Sequence, residues 1–419
     1  MKKTFIIALI FMLIVGSSMV FASASDYDPA TASSYKQAGE PFVGTSVRLL
    51  GMGGAGLGVR GYHDSFLVNP ANLAKSGFKF TLPSVTVTAY NPKAILESDL
   101  IDAIGEEDYA NAASEFLNIF DIGYGDVLTT DVSTVLTIGS FGLALEMQER
   151  LMSSYQVDGN SSRLNLIAQV TTAATAGLGF RIGLVPDKIS IDLGVTAKAV
   201  YKGYFEAINS GIATSLIDGS KEIDEIFLSN TPLIAGYALP ISAGVNVNLP
   251  VGLTVSAAAK NFNGNYKMTT YQSLIDWDEE VLQAGLGDDE SPDSVFTSEE
   301  FEIETDWRLD AGLSWAPNIG SLIRPVIAVD VVDITSMGGL QGDDLKRAFY
   351  EQTRLGASVR LLSILDVRGG ISQGYKSIGA GFDLLIFHID AAYYVQEYGA
   401  SIGDKPIDAL SLRFSLFSR

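Results

Sequence analysis

Cysteine is absent from the 419 residues, and histidine occurs only twice, at His63 and His388. A chain without cysteine has no thiolate nucleophile, no disulfide and no cysteine-ligated metal. Two histidines are a poor supply for a zinc site, so we predict neither a metal nor a cofactor. Cations are also scarce, with 28 Lys and Arg against 49 Asp and Glu, which gives a net charge of −21. This charge argues against nucleic acid as a partner, because phosphate binding needs a basic surface.

The few residues that could form a catalytic site are badly arranged for catalysis. His63, Asp64 and Ser65 are adjacent in the sequence, and adjacent side chains of an extended chain point apart. His388 and Asp390 would share one face of a strand, which indicates a polar pair inside the fold rather than a hydrolase. We therefore predict that the protein is not an enzyme.

The first 24 residues are typical of a signal peptide. Lys2 and Lys3 precede an almost wholly apolar run from Thr4 to Val15, and Ala22-Ser23-Ala24 offers a cleavage site between small residues. The apolar run is shorter than the roughly 20 residues of a spanning helix, so an uncleaved anchor is the less favoured alternative. The sequence therefore predicts an exported protein with residues 1–24 removed.

Long hydrophobic runs are missing from the rest of the chain, but strict alternation of apolar and polar residues recurs. After Ser140, for example, Phe141, Leu143, Leu145 and Met147 alternate with small or polar residues, and similar stretches follow Lys188 and Pro250. Repeated alternation of this kind is typical of a transmembrane β-barrel, whose strands face lipid on one side and a polar lumen on the other. A soluble β-sandwich is the alternative, although its outer face usually carries more charge.

The alternating segments number fourteen, an even number as expected for a single-chain bacterial barrel. The boundary at 386/387 could be a turn or a bulge, because the apolar phase switches there, and an even strand number favours the turn. We predict an all-β, antiparallel barrel with strands near 78–90, 127–137, 140–156, 163–184, 188–206, 232–249, 251–266, 301–316, 322–335, 353–362, 364–374, 376–386, 387–397 and 406–417.

The insertions between these strands differ in character. Residues 93–119, 207–229 and 338–351 have helical spacing in whole or in part. From Met268 to Trp307 there are thirteen acidic residues and no Lys or Arg. A cation-binding or receptor surface is one interpretation of this stretch, and a solvated external loop at 268–300 is the favoured one.

A glycine-rich segment precedes the first strand. Gly51, Gly53 and Gly56 satisfy the spacing of a dinucleotide-binding loop, but no strand precedes them and no acidic residue follows about 20 positions later. Such a density of glycine instead indicates tight turns and close backbone contacts, as a plug inside a barrel would need. We therefore divide the mature chain into an N-terminal extension and hatch, 25–77, and a barrel, 78–419.

The motifs in and after this segment resemble a known family. Arg48-x-x-Gly51-Met52-Gly53-Gly54-Ala55-Gly56, followed by Asp64 and Asn69-Pro70-Ala71-x-Leu73-Ala74, is similar to the N-terminal hatch of the FadL-type outer-membrane long-chain fatty-acid transporters, including their PorV-like and spirochaete relatives. The stretches Val367–Tyr375 and Asp390–Tyr394 agree with it. The resemblance implies a fourteen-stranded barrel with the hatch in its lumen. The acidic loop has no counterpart in the family pattern.

The predicted function is an outer-membrane channel for long-chain fatty acids or other small hydrophobic molecules, opened by movement of the hatch. A PorV-like barrel that carries or anchors secreted proteins is the alternative. Outer-membrane lipid and the barrel-assembly machinery would be its further partners. The predicted hatch and gating residues are Gly51, Gly53, Gly54, Gly56, Asn69, Pro70 and Ala71. The predicted ligand-binding residues are Phe42, Arg48, Met52, Arg60, Phe66, Leu67 and Val68.

Overall fold

The computed structural model describes residues 40–106, 111, 115, 119, 125–158, 161–186, 188–206, 233–283, 299–320, 322–384, 386–399 and 401–417. The predicted signal peptide, most of 107–119 and the insertion at 207–229 lie outside the described residues. The strands are β1 Lys79–Tyr90, β2 Gly125–Ile138, β3 Phe141–Asp158, β4 Ser161–Val185, β5 Ile189–Glu206, β6 Leu233–Ala238, β7 Ile241–Asn248, β8 Leu253–Phe262, β9 Tyr266–Tyr271, β10 Glu300–Ile303, β11 Arg308–Trp315, β12 Ile323–Val331, β13 Thr353–Leu361, β14 Leu365–Ser372, β15 Tyr375–Leu384, β16 Phe387–Glu397 and β17 Pro406–Leu416.

The strands form one closed, antiparallel β-barrel. Most strands pair with their neighbours in sequence, and β1 pairs with both β2 and β17, which closes the sheet. Three of the barrel strands are interrupted: β6 and β7 both pair with β5, β8 and β9 continue each other across 263–265, and β10 and β11 do so across 304–307. The seventeen segments of the described chain therefore form fourteen barrel strands, and the predicted number is confirmed.

The boundary between β15 and β16 is a turn. β15 ends at Leu384 and β16 begins at Phe387, and the two pair with each other up to Leu384 and Phe387. Because a turn resets the alternation of the chain, the apolar phase can switch from even to odd positions without a bulge. The preference for a turn at 386/387 is therefore confirmed.

The two faces of the wall have opposite chemistry. On β3, Leu143, Leu145 and Met147 are exposed on the outside, whereas Ala144 and Glu146 between them are buried. The same alternation on β4 exposes Leu178 and Phe180 and buries Thr171 and Thr175. An apolar exterior around a polar interior is the arrangement of a barrel that faces lipid, because each face then meets a solvent of its own kind.

The helices of the described residues are short and do not form part of the barrel wall. They are α1 Val47–Gly51, α2 Ser65–Val68, α3 Pro92–Glu97, α4 Leu100–Gly105, α5 Leu274–Trp277 and α6 Gly342–Gln352, with single turns at Pro70–Leu73, Pro250–Gly252, Asp278–Gln283 and Ile334–Met337. No helix of the described residues combines the length and the apolar character that crossing a membrane requires.

The acidic stretch is more ordered at its edges than a loop at 268–300 would be. β9 extends to Tyr271 and β10 begins at Glu300, so the prediction placed the loop boundary inside β9. Between them, Leu274, Trp277 and Val281 pack against a buried cluster that includes Leu233 and Ala235. The predicted strand ended at residue 266, because Lys267, Thr269 and Thr270 do not continue the alternation of apolar and polar residues. The backbone of these three residues nevertheless pairs with β6 and β10.

Candidate binding cavity

Residues 40–77, called here the N-terminal segment, cross the interior of the barrel. α1 contacts β15 and β16, while the turn Pro70–Leu73 contacts β4, β5 and β7. These two groups of strands lie apart in the order of the closed sheet. The segment ends at the short-turn end of the barrel, which is the end that carries the two-residue turn between β2 and β3. There the Gly77 N–H donates to the Gly139 carbonyl at 3.0 Å. A segment that contacts separate parts of the wall must pass through the lumen.

Glycines on the inner wall provide the surface on which Pro70–Leu73 rests. A Cβ added to Gly194 on β5 would overlap the Pro70 carbonyl, and one added to Gly179 on β4 would lie 2.5 Å from the Ala74 nitrogen. A Cβ at Gly244 on β7 would overlap the Asn69 side chain. Close approach of two backbones requires glycine, since any side chain would separate them.

A second glycine surface, on β13 and β14, receives the turn after α1. A Cβ on Gly356 or Gly370 would overlap Met52 or Gly53 of the segment. Gly53 has a φ of 63°, a conformation that favours glycine, and a Cβ there would lie 2.6 Å from the Ile371 nitrogen. Glycine is therefore required on both sides of this contact.

The other predicted hatch residues lie in or beside these two contacts. Gly51 packs against Gly379, Gly54 has a φ of 80°, and Gly56 approaches Leu49. Asn69 is fully buried, and its Oδ1 accepts from the Ala71 N–H at 3.0 Å, which caps the turn that begins at Pro70. The Asn246 side chain lies 2.9 Å from the side-chain amides of both Asn69 and Asn72. Their role in gating stays a prediction.

Carboxylates of the wall hold the segment between the two glycine surfaces. Asp330 on β12 accepts from the backbone N–H groups of Gly56 at 2.6 Å and Leu57 at 2.8 Å. Asp192 on β5, which is fully buried, forms an ion pair with Arg60 and a bidentate pair with Arg181. Burial and the nearby Arg181 lower the pKa of Arg60 to about 10, so Arg60 remains charged at neutral pH.

A second polar group lies inside the segment itself. Arg48 is buried, pairs with Asp64 at 3.5 Å, and lies 4.0 Å from the centre of the Tyr62 ring. Ser46 Oγ donates to Asp64 Oδ2 at 2.5 Å. Burial alone would raise the pKa of Asp64, but Arg48 and the hydrogen bond from Ser46 hold it below its ordinary value. Tyr62 Oη donates to Asp366 at 3.2 Å and so connects this group to β14.

A cavity of about 550 Å³ remains between the segment and the wall. Apolar and charged residues line it together, and both the segment and the wall contribute to each kind. The apolar residues of the segment that line it include Phe42, Val43, Leu49, Leu50, Leu57, Leu67 and Val68. A cavity with apolar and charged lining residues suits an amphiphilic molecule.

The structure separates the predicted ligand-binding residues into two groups. Phe42, Leu67 and Val68 line the cavity. Arg48, Met52 and Phe66 are buried in contacts of the segment with itself and with the wall, and Arg60 is paired with Asp192. Sequence analysis could not distinguish the groups, because both consist of apolar residues and cations at neighbouring positions.

Phe42 lies at the junction of the cavity and an apolar cluster inside the barrel. It packs against buried residues that include Met152, Tyr204 and Met268. Lys198 Nζ lies 4.8 Å from the centre of its ring, and the carbonyl of Phe42 accepts from the same ammonium at 3.5 Å. The cation–π contact with Lys198 and the apolar packing therefore fix the position of the Phe42 side chain.

Two cations of the wall face the cavity from adjacent strands. Lys260 on β8 and Arg308 on β11 are directly opposite each other in the strand register, an arrangement that costs free energy for like charges. Lys260 Nζ pairs with Asp310 at 2.8 Å. Among the described residues, no hydrogen-bond acceptor is found for the buried Nε of Arg308. Arg308 thus offers a buried donor to an anionic group in the cavity.

The wall residues that bind the segment were missed by sequence analysis. Asp192 and Lys198 stood out only as charges on the polar face of a strand, and nothing in the sequence identifies their partners. His388 and Asp390 are brought together as the spacing indicates, with His388 Nε2 2.6 Å from Asp390 Oδ2. The part of the chain that the structure describes contains no group of three or more His, Asp or Glu side chains placed to hold a metal ion.

Comparison with known proteins gives structural similarities only. Neither a protein-family model nor a functionally characterised sequence matches the chain. Among solved structures, the fold is similar to the toluene transporter TodX of Pseudomonas putida, with 10% identity, coverage of 90% of this chain and 97% of that one, and a TM-score of 0.41. It is similar to a FadL homologue of Pseudomonas aeruginosa, with 13% identity, 90% and 98% coverage and a TM-score of 0.41. It is also similar to the monoaromatic hydrocarbon channel CymD, with 12% identity, 89% and 96% coverage and a TM-score of 0.43.

Proposed function

We propose that the chain is an outer-membrane channel for the uptake of long-chain fatty acids or other small hydrophobic molecules, opened by movement of the N-terminal segment. The observation that supports the proposal is the segment itself, which crosses the lumen and leaves a cavity lined by apolar residues and by charged residues of both signs, Arg308 among them. The apolar exterior of the barrel supports a position in lipid.

The apolar tail of such a ligand would provide most of its affinity. Removing about twelve methylenes from water is worth roughly 10 kcal/mol at about 0.8 kcal/mol each. One charge-assisted hydrogen bond to a carboxylate adds about 1.5–3 kcal/mol. We propose that the tail lies along Phe42, Leu67 and Val68, and that Arg308 receives the carboxylate. Head-group contacts would then decide which ligand is preferred, while the tail decides how tightly any ligand binds.

The experiment for the proposed gating is uptake of a labelled fatty acid by cells that carry the wild-type protein, an Asn69→Ala variant or a protein lacking residues 40–77. Asn69→Ala removes the cap of the Pro70–Leu73 turn, a change worth about 0.5–2 kcal/mol, so we expect altered uptake. Correct insertion is checked from detergent extraction and from a heat-sensitive shift of the band on a gel. Unchanged uptake by correctly inserted variants would contradict gating by the segment.

Replacing Arg308 by glutamine tests the proposed carboxylate site. We expect about 10-fold to 150-fold weaker binding of a long-chain fatty acid, which corresponds to the 1.5–3 kcal/mol of the lost charge-assisted hydrogen bond. Binding of a neutral hydrocarbon of the same length should change little, since it has no group for Arg308. Arg324→Gln is the matched control, because Arg324 is exposed on β12 and does not line the cavity. Equal losses for both ligands would rule out a role in head-group recognition.

A further inference from the structure

His63 of the N-terminal segment is held in the neutral state by its contact with the wall. The ring is 6% exposed, and its Nε2 contacts the Nη2 of Arg413 on β17. A guanidinium can only donate, so Nε2 must accept with its lone pair, and the proton of the neutral ring is then on Nδ1. Arg413 cannot turn away easily, because it is buried and its Nε donates to Ser84 Oγ on β1 at 2.5 Å.

The charged groups around His63 do not compensate a second positive charge. Asp64 is paired with Arg48 and accepts from Ser46, and Asp390 on β16 is bound by Arg368 at 2.5 Å and by His388 at 2.6 Å. His388 on β16 is a further cation that acts on His63, and Lys79 on β1 interacts with Asp64. Both nearby carboxylates are therefore engaged with other cations. Burial and Arg413 together lower the pKa of His63 to about 3.

We propose that His63 and Arg413 form a pH-sensitive latch that releases the N-terminal segment from the wall in acid. A segment that has left the wall exposes His63 to water, where the imidazole can bind a proton. The docked segment excludes that proton, because an imidazolium would face the Arg413 guanidinium at hydrogen-bond distance. The claim that release of the segment opens a channel rests on the proposed function, whereas the pH-sensitive latch itself does not.

The sign of the effect follows from the two states of the histidine. The ordinary pKa of an exposed histidine is about 6.5, and the docked value is about 3. Between these values the undocked state binds the additional proton, so docking weakens as the pH falls below about 6.5 and does not depend on His63 above it. The fall in the docking constant should approach tenfold for each pH unit and amount to about 16-fold between pH 6.5 and pH 5.

The chain has no cysteine, so a single introduced thiol can report release. Ser65→Cys places a nearly isosteric thiol two residues from His63, at a buried position. The rate of thiol modification in detergent micelles is measured from about pH 7 to pH 5 and divided by the rate for the denatured protein at each pH, which corrects for thiolate formation. We expect the corrected rate to rise below about pH 6.5, with a slope that approaches tenfold per pH unit.

Two matched variants identify the histidine responsible. His63→Gln keeps an oxygen that can accept from Arg413 but does not titrate, so the corrected rate should become independent of pH. His388→Gln removes the only other histidine and should leave the pH dependence in place. A flat profile for wild-type His63, an unchanged slope in His63→Gln or a lost slope in His388→Gln would each overturn the latch. A normal latch in a protein that takes up no labelled fatty acid would instead overturn the proposed function.

Discussion

Replacing Gly194 by alanine is expected to displace the Pro70–Leu73 turn from the wall and to open the lumen. The added Cβ overlaps the backbone carbonyl of Pro70, which cannot rotate away as a flexible side chain can. Overpacking of this kind typically costs about 1–3 kcal/mol. If the whole cost falls on docking of the segment, the equilibrium constant between undocked and docked states rises about 5-fold to 150-fold. The measurement is the conductance of the purified protein in a planar bilayer, with uptake of a labelled fatty acid as a second readout.

The controls for this substitution come from the same sheet. Gly183 lies on the neighbouring strand β4, and an added Cβ there meets nothing within 4 Å, so Gly183→Ala should have no effect. In a protein lacking residues 40–77, Gly194→Ala should likewise be silent, because the group it collides with is gone. An increase in conductance that persists in the shortened protein would show that Gly194 acts on the barrel rather than on the segment.

Replacing Asp192 by asparagine should be more damaging than removing its partner in the N-terminal segment. Asp192 is fully buried and bound by Arg60 and Arg181, and its Oδ2 also accepts from Asn248 Nδ2 at 2.9 Å. Loss of its charge leaves two guanidinium groups uncompensated, and breaking a buried ion pair in this way typically costs about 3–5 kcal/mol. Arg60→Met should cost less, because Arg181 and Asn248 still satisfy Asp192.

Urea unfolding of the detergent-solubilised barrel distinguishes the two variants. The free energy of unfolding should fall by about 3–5 kcal/mol for Asp192→Asn and by clearly less for Arg60→Met. Modification of the Ser65→Cys thiol should increase for both variants, because each loses the Arg60 contact between segment and wall. Equal destabilisation by the two substitutions would mean that Arg181 does not share the charge of Asp192.

The barrel could be predicted from the sequence because its main determinant is local. Alternation such as that from Phe141 to Met147 fixes both the strand and the face that meets lipid, and the number of such stretches fixed the number of strands. Two of the interrupted strands, β6 with β7 and β10 with β11, were each recovered as a single strand for the same reason. Most of β9 was not recovered, because a strand rich in Lys and Thr depends on pairing with its neighbours.

The contacts of the N-terminal segment could not be predicted, because they join residues far apart in the chain. Asp330 is more than 270 positions from Gly56 and Leu57, and Arg413 is 350 from His63. Single-sequence patterns carry no information on such pairs. Glycines of the segment were noticed by their density, whereas the isolated wall glycines that face them, such as Gly194 and Gly244, look like ordinary weak points of a strand.

The attachment of the segment at one end of the barrel limits where it can go. Gly77 is joined to β1 at the short-turn end, and the described segment extends 77 − 40 = 37 residues from that anchor. Fully extended, such a tether spans about 120–130 Å, whereas the longest strand, β4, has 25 residues and a length of about 80 Å. A released segment therefore has enough reach to leave through either mouth of the barrel while remaining covalently tied to its rim.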